Sequence, residues 1–208
     1  MKKPTITLLD VGDTRRFEKS RVATDQHIAC VADPLPSGFL NVQVTRNRQE
    51  ITDVVLGPTR VLHVMGHANE LGTMVSDHRI PRPGWLMRKL KLNVLIDYCT
   101  FYEIFPEVEV VLLDACNTFS DYWIDGFREL IRRGERVTFI GTTESVVWPK
   151  ASTYTSCFYS ALLSERLEPD PTLFRAQVRR AHDRAVRAFR LLRSEDAPFQ
   201  RVVIRGRA

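Results

Sequence analysis

Six short hydrophobic segments, each bounded by polar or turn residues, are spread along the chain. The third, fourth and fifth are continuous apolar runs, as expected of strands that are covered on both faces. The second and sixth alternate between apolar and polar residues, which favours positions near the edge of a sheet. The six predicted strands lie at 6–11, 40–45, 60–65, 109–115, 137–142 and 200–206.

Most of the segments between these strands carry apolar residues at helical spacing. Ser120 or Asp121 can cap the third predicted helix, Gly134 lies just past its end, and Pro149 suits the first turn of the fourth. Residues 12–39 show no clear pattern and are expected to be mostly loop. The predicted helices lie at 48–56, 84–102, 121–134, 149–165 and 170–193.

Strands and helices therefore alternate along the chain, which predicts an α/β fold with a mostly parallel, six-stranded sheet and helices on both faces. The length of 208 residues suits one domain, so we expect residues 1–208 to fold as a single unit. No window approaches 18 continuous apolar residues, and the N-terminal apolar run is too short for a signal peptide. We therefore expect a cytoplasmic protein with no membrane contact.

The four cysteines form no CxxC pair and show no metal-ligand spacing with the five histidines. In a reducing compartment they are expected to be free thiols. We accordingly expect no disulfide, no metal and no organic cofactor. At least three of the four should be passive, and one is a candidate nucleophile.

The C-terminal section is basic, with ten arginines against three acidic residues from 171 to 208. A solvated outer face on the helix predicted at 170–193 explains these arginines, and so does an acidic partner protein. Nucleic acid is the least supported partner, because no aromatic residues that could stack on bases interleave with the arginines.

Two of the predicted strands end at residues whose side chains can take part in catalysis. The strand at 60–65 is followed by Gly66, His67 and Ala68, and the strand at 109–115 leads into Cys116. In open parallel sheets, ligands bind at the carboxyl ends of the strands, and sequential strands are often neighbours about 4.8 Å apart. We therefore predict that His67 and Cys116 share one pocket.

A cysteine beside a histidine suits nucleophilic catalysis. The imidazole can accept the thiol proton and later protonate a leaving amine, while the backbone N–H groups of Cys116 and Ala68 are candidates to bind the oxyanion. The alternatives are that Cys116 is a small buried hydrophobe and that His67 only caps a strand. His63 lies two residues before Met65, deeper in the strand, and is interpreted as a packed core histidine.

The segments VLHVMGHANELG and VVLLDACNTFS, with IGTTESVVWPKASTYTSCFYSALLS further on, resemble the caspase-like (clan CD) cysteine peptidases. Within that clan the chain is similar to prokaryotic CHAT-type and metacaspase-like domains, over residues 58 to about 165. The chain differs from these families at two positions. Ala68 occupies a position that is usually Gly, and Asn117 begins a continuation unlike the His-Ser-Gly of metacaspases.

The resemblance implies a Cys116–His67 dyad and further residues that bind substrate. By similarity to metacaspases, Asp114 would bind a basic P1 side chain. The alternative is that Asp114 bonds a neighbouring loop and holds the cysteine in place. Asp77, Glu144 and Ser145 are weaker candidates to line the cleft.

The resemblance also implies a cysteine endopeptidase that performs limited proteolysis of a protein substrate in a prokaryotic stress, immunity (antiviral defence) or cell-death pathway. The chain lacks the long linker that executioner caspases cleave, so we expect a separate regulatory protein to control it. Direct binding of nucleic acid is not expected. The alternative is a catalytically silent caspase-like fold that works as a protein-binding module, an idea prompted by Ala68.

Overall fold

The computed structural model describes the backbone in eight segments of the chain. Side chains are described in all of them except at 40–44, 67, 74–76 and 94–96. The eight segments are 6–11, 25–30, 32–34, 40–44, 59–68, 74–76, 94–96 and 108–207.

The main sheet consists of five parallel strands and one antiparallel strand at its edge. In spatial order these are β2 (Leu40–Val44), β1 (Ile6–Asp10), β3 (Val61–Met65), β7 (Val110–Asp114), β8 (Arg136–Thr142) and the antiparallel β9 (Phe199–Arg205). The predicted α/β fold with a mostly parallel sheet is therefore confirmed. The strands at 40–45 and 200–206 were expected near an edge and do form the two edges.

A second, three-stranded antiparallel sheet follows the end of β3. It contains β4 (His67–Ala68), β5 (Met74–Ser76) and β6 (Val94–Ile96), with β5 in the middle. The helix predicted at 84–102 is wrong at Val94–Ile96, which is a strand. Two of those three residues are β-branched, and pairing with β5 outweighs the helical spacing of the surrounding apolar positions.

Three helices have fully described bounds: α1 (Asp121–Leu130), α2 (Trp148–Leu163) and α3 (Pro171–Arg193). Asp170 caps α3, since its carboxylate accepts hydrogen bonds from the N–H groups of Thr172 and Leu173 at 2.8 and 2.9 Å. Helix α1 ends before 134 because Ile131 turns to an extended conformation and is buried.

Two further predictions concern the N-terminal half of the chain. Residues 25–30 are helical, so the loop expected over 12–39 is wrong there. The helix predicted at 48–56 lies outside the described residues.

The sheet has a hydrophobic core on each face, as predicted. Helix α1 covers one face, where Trp123 and Phe127 pack with Phe139 of β8. Helices α2 and α3 cover the other face, where Phe158 and Phe189 belong to one buried cluster with the apolar residues of β1, β3 and β7.

Helix α3 buries Phe174, Val178, Ala181, Ala185 and Phe189 along one face, whereas Leu192 in its last turn is 67% exposed. Several arginines on its outer face have acidic partners within the chain. Arg180 lies 3.2 Å from Glu165, and Arg190 lies 2.7 Å from Asp196. No helix among the described residues is long and apolar enough to cross a membrane.

Candidate active site

The ends of β3 and β7 bring the two predicted catalytic positions to one edge of the sheet. The strands are parallel neighbours, and their register ends with Met65 opposite Asp114. The N–H of Gly66 then donates to the carbonyl of Asp114 at 3.2 Å, which ties the two tips together. The pairing stops there, since His67 begins a strand of the small sheet and Cys116 lies in a turn, but each residue follows the end of its strand by two positions. The side chain of His67 lies outside the described part of the chain, so the dyad stays a prediction.

The thiol of Cys116 is half-buried beneath the loop that joins β8 to α2. Its Sγ accepts a hydrogen bond from the Val146 N–H at 3.4 Å and lies 3.7 Å from the Val146 carbonyl, to which it can donate. The side chain therefore lies at the boundary of the core, unlike the fully buried apolar residues of β7 before it. This position suits a nucleophile better than it suits core filler.

Two buried threonines fix the turn that carries Cys116. The hydroxyl of Thr118 lies 2.9 Å from the Leu113 carbonyl and 3.1 Å from that of Ala115, and it accepts from the Thr142 N–H at 3.0 Å. The hydroxyl of Thr142 also donates to the Ala115 carbonyl. Sequence reasoning missed both residues, because a threonine that bonds across a turn looks like any other threonine in sequence.

This arrangement fixes the direction of the Cys116 N–H. In a trans peptide the N–H points away from the preceding carbonyl, and here that carbonyl, of Ala115, faces the two threonines. Within the described segments, the Cys116 N–H donates to no backbone or side-chain acceptor. It is therefore available as an oxyanion donor. Ala68 is half-buried at the start of the small sheet, and its own donor role stays a prediction.

The predicted cleft residues Glu144 and Ser145 are both exposed and lie on the loop above Cys116. The carbonyl of Glu144 accepts from the Asn117 N–H at 3.2 Å, so this loop is joined to the cysteine turn. Val147, next in the same loop, is 59% exposed. That Glu144 and Ser145 line a cleft stays a prediction, and Asp77 lies outside the described residues.

The position of Asp114 does not fit the substrate-binding role predicted for it. Its side chain is 1% exposed, and Oδ2 lies 3.0 Å from Nε2 of His27 and 3.6 Å from Nε2 of His63. A carboxylate this deep faces two histidines of its own chain rather than the cleft. The geometry favours the alternative that Asp114 helps to hold the cysteine strand in place.

The surroundings of Asp114 determine its charge. Burial alone raises the pKa of this carboxyl, but the contacts with His27 and His63 outweigh burial and lower its pKa to about 2. The pKa of His63 is lowered, mainly because burial disfavours the charged imidazole, although Asp114 offsets part of that effect. Asp114 is accordingly a carboxylate at neutral pH.

His63 is fully buried, which confirms the prediction of a packed core histidine. Its Nδ1 lies 3.2 Å from the hydroxyl of Tyr159 on α2. His27 was missed, because it belongs to a region expected to be loop and no sequence motif marks it. Its Nδ1 lies 2.7 Å from the hydroxyl of Ser152, and its ring lies 5.5 Å from that of Trp148.

No protein-family description and no curated protein matches the sequence. Among solved structures, the chain is similar to a secreted C11 cysteine protease from Bacteroides thetaiotaomicron, determined in complex with an irreversible peptide inhibitor. The identity is 13% and the TM-score 0.46 over 84% of this chain, which spans 57% of the protease chain.

Proposed function

We propose that the protein is a cysteine endopeptidase in which Cys116 is the nucleophile. The observation that carries the proposal is the position of Cys116. It is half-buried just past the carboxyl end of β7, its N–H is unpaired among the described residues, and His67 follows the end of the neighbouring strand β3.

The proposed reaction uses groups of the chain alone. His67 accepts the thiol proton, and the Cys116 sulfur attacks the scissile carbonyl carbon. The N–H groups of Cys116 and Ala68 donate to the resulting oxyanion. The C–N bond then breaks as His67 returns the proton to the leaving amine, which leaves a thioester. Water, deprotonated by His67, hydrolyses the thioester and regenerates the thiol.

The finer assignment rests on the sequence segments around His67, around Cys116 and at the start of α2, which resemble CHAT-type and metacaspase-like domains. On that basis we propose limited proteolysis in a prokaryotic stress, immunity or cell-death pathway, under the control of a separate regulatory protein. The exposed loop that carries Glu144 and Ser145 is where a substrate would contact the chain.

The test is cleavage of a fluorogenic peptide library by the wild type, by Cys116→Ala and by the matched control Cys30→Ala, which removes an exposed thiol away from the site. Cleavage by the wild type and the control that is lost in Cys116→Ala supports the proposal. Cleavage that survives in Cys116→Ala contradicts it. Full turnover by the isolated chain would remove the reason to propose a regulatory partner.

A second candidate function is a catalytically silent fold that binds another protein. The contacts of the Cys116 thiol with both the N–H and the carbonyl of Val146 favour it, since they occupy the sulfur. Ala68, in place of the usual Gly of the resembling families, points the same way. A silent fold would leave Cys116 no more reactive than Cys30 toward a thiol-directed electrophile.

A further inference from the structure

Three side chains from distant parts of the sequence meet in the core beneath the cysteine turn. His27 comes from the helical segment 25–30, His63 from β3 and Asp114 from the end of β7. One ligand atom from each lies within 4.8 Å of the other two, and all three residues are buried. The proposed peptidase reaction uses none of them.

These polar atoms are close together, but their geometry for hydrogen bonds to one another is poor. Nε2 of His27 and Nε2 of His63 lie 3.0 and 3.6 Å from Oδ2 of Asp114. Yet neither nitrogen and neither carboxylate oxygen has a hydrogen-bond partner among the described residues. Leaving such groups buried and unsatisfied lowers stability. The three side chains are therefore available to bind a further group.

The separations of the two histidine nitrogens from Asp114 are close to those of ligands around one ion, and the two nitrogens lie within 4.8 Å of each other. Zinc binds histidine nitrogen and carboxylate oxygen at about 2.0–2.2 Å, so neighbouring ligand atoms in a tetrahedral site lie about 3.3 Å apart. The measured 3.0 and 3.6 Å bracket that value. An ion would also account for the poor hydrogen-bond geometry, because it lies off the line that joins two ligand atoms, whereas a shared proton must lie close to that line.

The outer nitrogens of both histidines are already oriented. Nδ1 of His27 lies 2.7 Å from the hydroxyl of Ser152, and Nδ1 of His63 lies 3.2 Å from that of Tyr159. A histidine that binds a metal through Nε2 usually donates its Nδ1–H to such a partner, which fixes the tautomer. Both hydroxyls belong to α2, so this helix aims the two imidazoles at Asp114.

We propose that His27, His63 and Asp114 bind a zinc ion that is structural rather than catalytic. Two imidazoles and one carboxylate suit zinc better than calcium or magnesium, which prefer oxygen ligands. Three protein ligands leave a fourth tetrahedral position for water. The ion would join the helical segment 25–30 to β3 and β7, two residues from Cys116, and so hold the strand that carries the nucleophile.

The experiment measures zinc binding by the full chain after dialysis against a chelator. Zinc content and thermal unfolding are recorded for the wild type, His27→Gln, Asp114→Asn, and two controls. His182→Gln replaces a buried histidine outside the cluster, and Cys116→Ser removes the thiol that could bind zinc at the cleft. Cobalt substitution reports the coordination geometry through its visible absorption.

The proposal predicts one zinc per chain and a Tm that rises with zinc concentration in the wild type and in both controls. His27→Gln and Asp114→Asn should lose that binding. Ser152→Ala should bind zinc about tenfold or more weakly, because the His27 imidazole loses its orienting partner. If Asp114→Asn does not fold, His27→Gln and Ser152→Ala still decide the question.

Three outcomes would overturn the proposal. The first is a wild type that takes up no zinc and whose Tm is unchanged by it, which would make the cluster an ion pair. The second is His27→Gln binding zinc as tightly as the wild type. The third is loss of zinc in Cys116→Ser alone, which would place the ion at the cleft. None of these readouts depends on peptidase activity, so the zinc site and the proposed function can fail separately.

Discussion

Thr118 and Thr142 direct their hydroxyl groups at the same acceptor, the carbonyl of Ala115 in the turn after β7. Both side chains are fully buried, and the Thr142 N–H also donates to the Thr118 hydroxyl at 3.0 Å. The pair links the end of β8 to the peptide that precedes the nucleophile. The orientation of the Cys116 N–H therefore depends on residues that never meet a substrate.

Replacing Thr142 with valine keeps the shape of the side chain and removes its hydroxyl. We expect Thr142→Val to lower the free energy of unfolding by about 1–3 kcal/mol, because the Ala115 carbonyl loses a buried donor. It should also lower kcat more than it raises KM, since the oxyanion donor is less firmly held. Urea unfolding and peptide kinetics measure the two effects.

Thr138 provides the matched control on the same strand. It is buried like Thr142, but its hydroxyl has no hydrogen-bond partner among the described residues. Thr138→Val should therefore leave stability unchanged or raise it, with unchanged kinetics. Equal losses of stability in the two variants would show that the hydroxyl of Thr142 has no special role.

Gly141 lies where β8 passes the cysteine turn. A Cβ at this position would lie 2.9 Å from the Phe119 nitrogen and 3.1 Å from the Thr118 carbonyl carbon, both of them backbone atoms. Gly141→Ala should therefore displace the turn, destabilise the protein and reduce peptidase activity. Melting curves and initial rates test this.

A substitution at Gly134 is the control that distinguishes a local effect on the cysteine turn from general destabilisation of the protein. It adopts a φ of 83°, and a Cβ there meets no atom within 4 Å. Gly134→Ala should cost about 1 kcal/mol of stability through backbone strain and leave activity unchanged at a temperature where the protein is folded. If both variants lose activity in proportion to their loss of stability, the close approach at Gly141 has no functional importance.

His182 should make the protein sensitive to acid. Burial, together with the nearby charge of Arg201, lowers the pKa of this histidine to about 4 from an ordinary 6.5. Its Nδ1 lies 2.7 Å from the hydroxyl of Tyr154. Between pH 6.5 and 4 the unfolded chain therefore binds a proton that the folded chain does not.

The free energy of unfolding should consequently fall as the pH drops through that window, by at most about 1.4 kcal/mol per pH unit from this residue. His182→Gln should flatten the pH dependence relative to the wild type. Denaturant unfolding at several pH values from 7 to 4.5 measures the difference. Parallel curves for the two proteins would rule out His182 as the source.

Much of the fold could be predicted from the sequence, because the six strands of the main sheet are marked by short apolar runs. The strand at Val94–Ile96 could not, since its apolar residues also fit a helical spacing and only pairing with β5 decides between the two. The starts of α2 and α3 are marked by single residues in the sequence, because Pro149 lies in the first turn of α2 and Asp170 caps α3.

The candidate site, like the fold, could be predicted only in part. Strand tips in parallel sheets meet at one edge, so the positions of His67 and Cys116 followed from sequence order. The contact of Asp114 with His27 did not, because His27 reaches it only after the segment 25–30 packs on α2. The role of Asp114 depended on that long-range contact, and the prediction of substrate binding overlooked it.

The most direct test of the central claim compares cysteine reactivity within one molecule. The chain is treated briefly with iodoacetamide at neutral pH, and alkylation of each cysteine is followed by peptide mass spectrometry in the wild type and in His67→Ala. Exposure alone predicts that Cys30, which is exposed, reacts faster than the half-buried Cys116. Our account predicts the reverse, with Cys116 at least about tenfold faster in the wild type and that advantage lost in His67→Ala. A Cys116 that reacts no faster than Cys30, with no effect of His67→Ala, would contradict the proposed nucleophile.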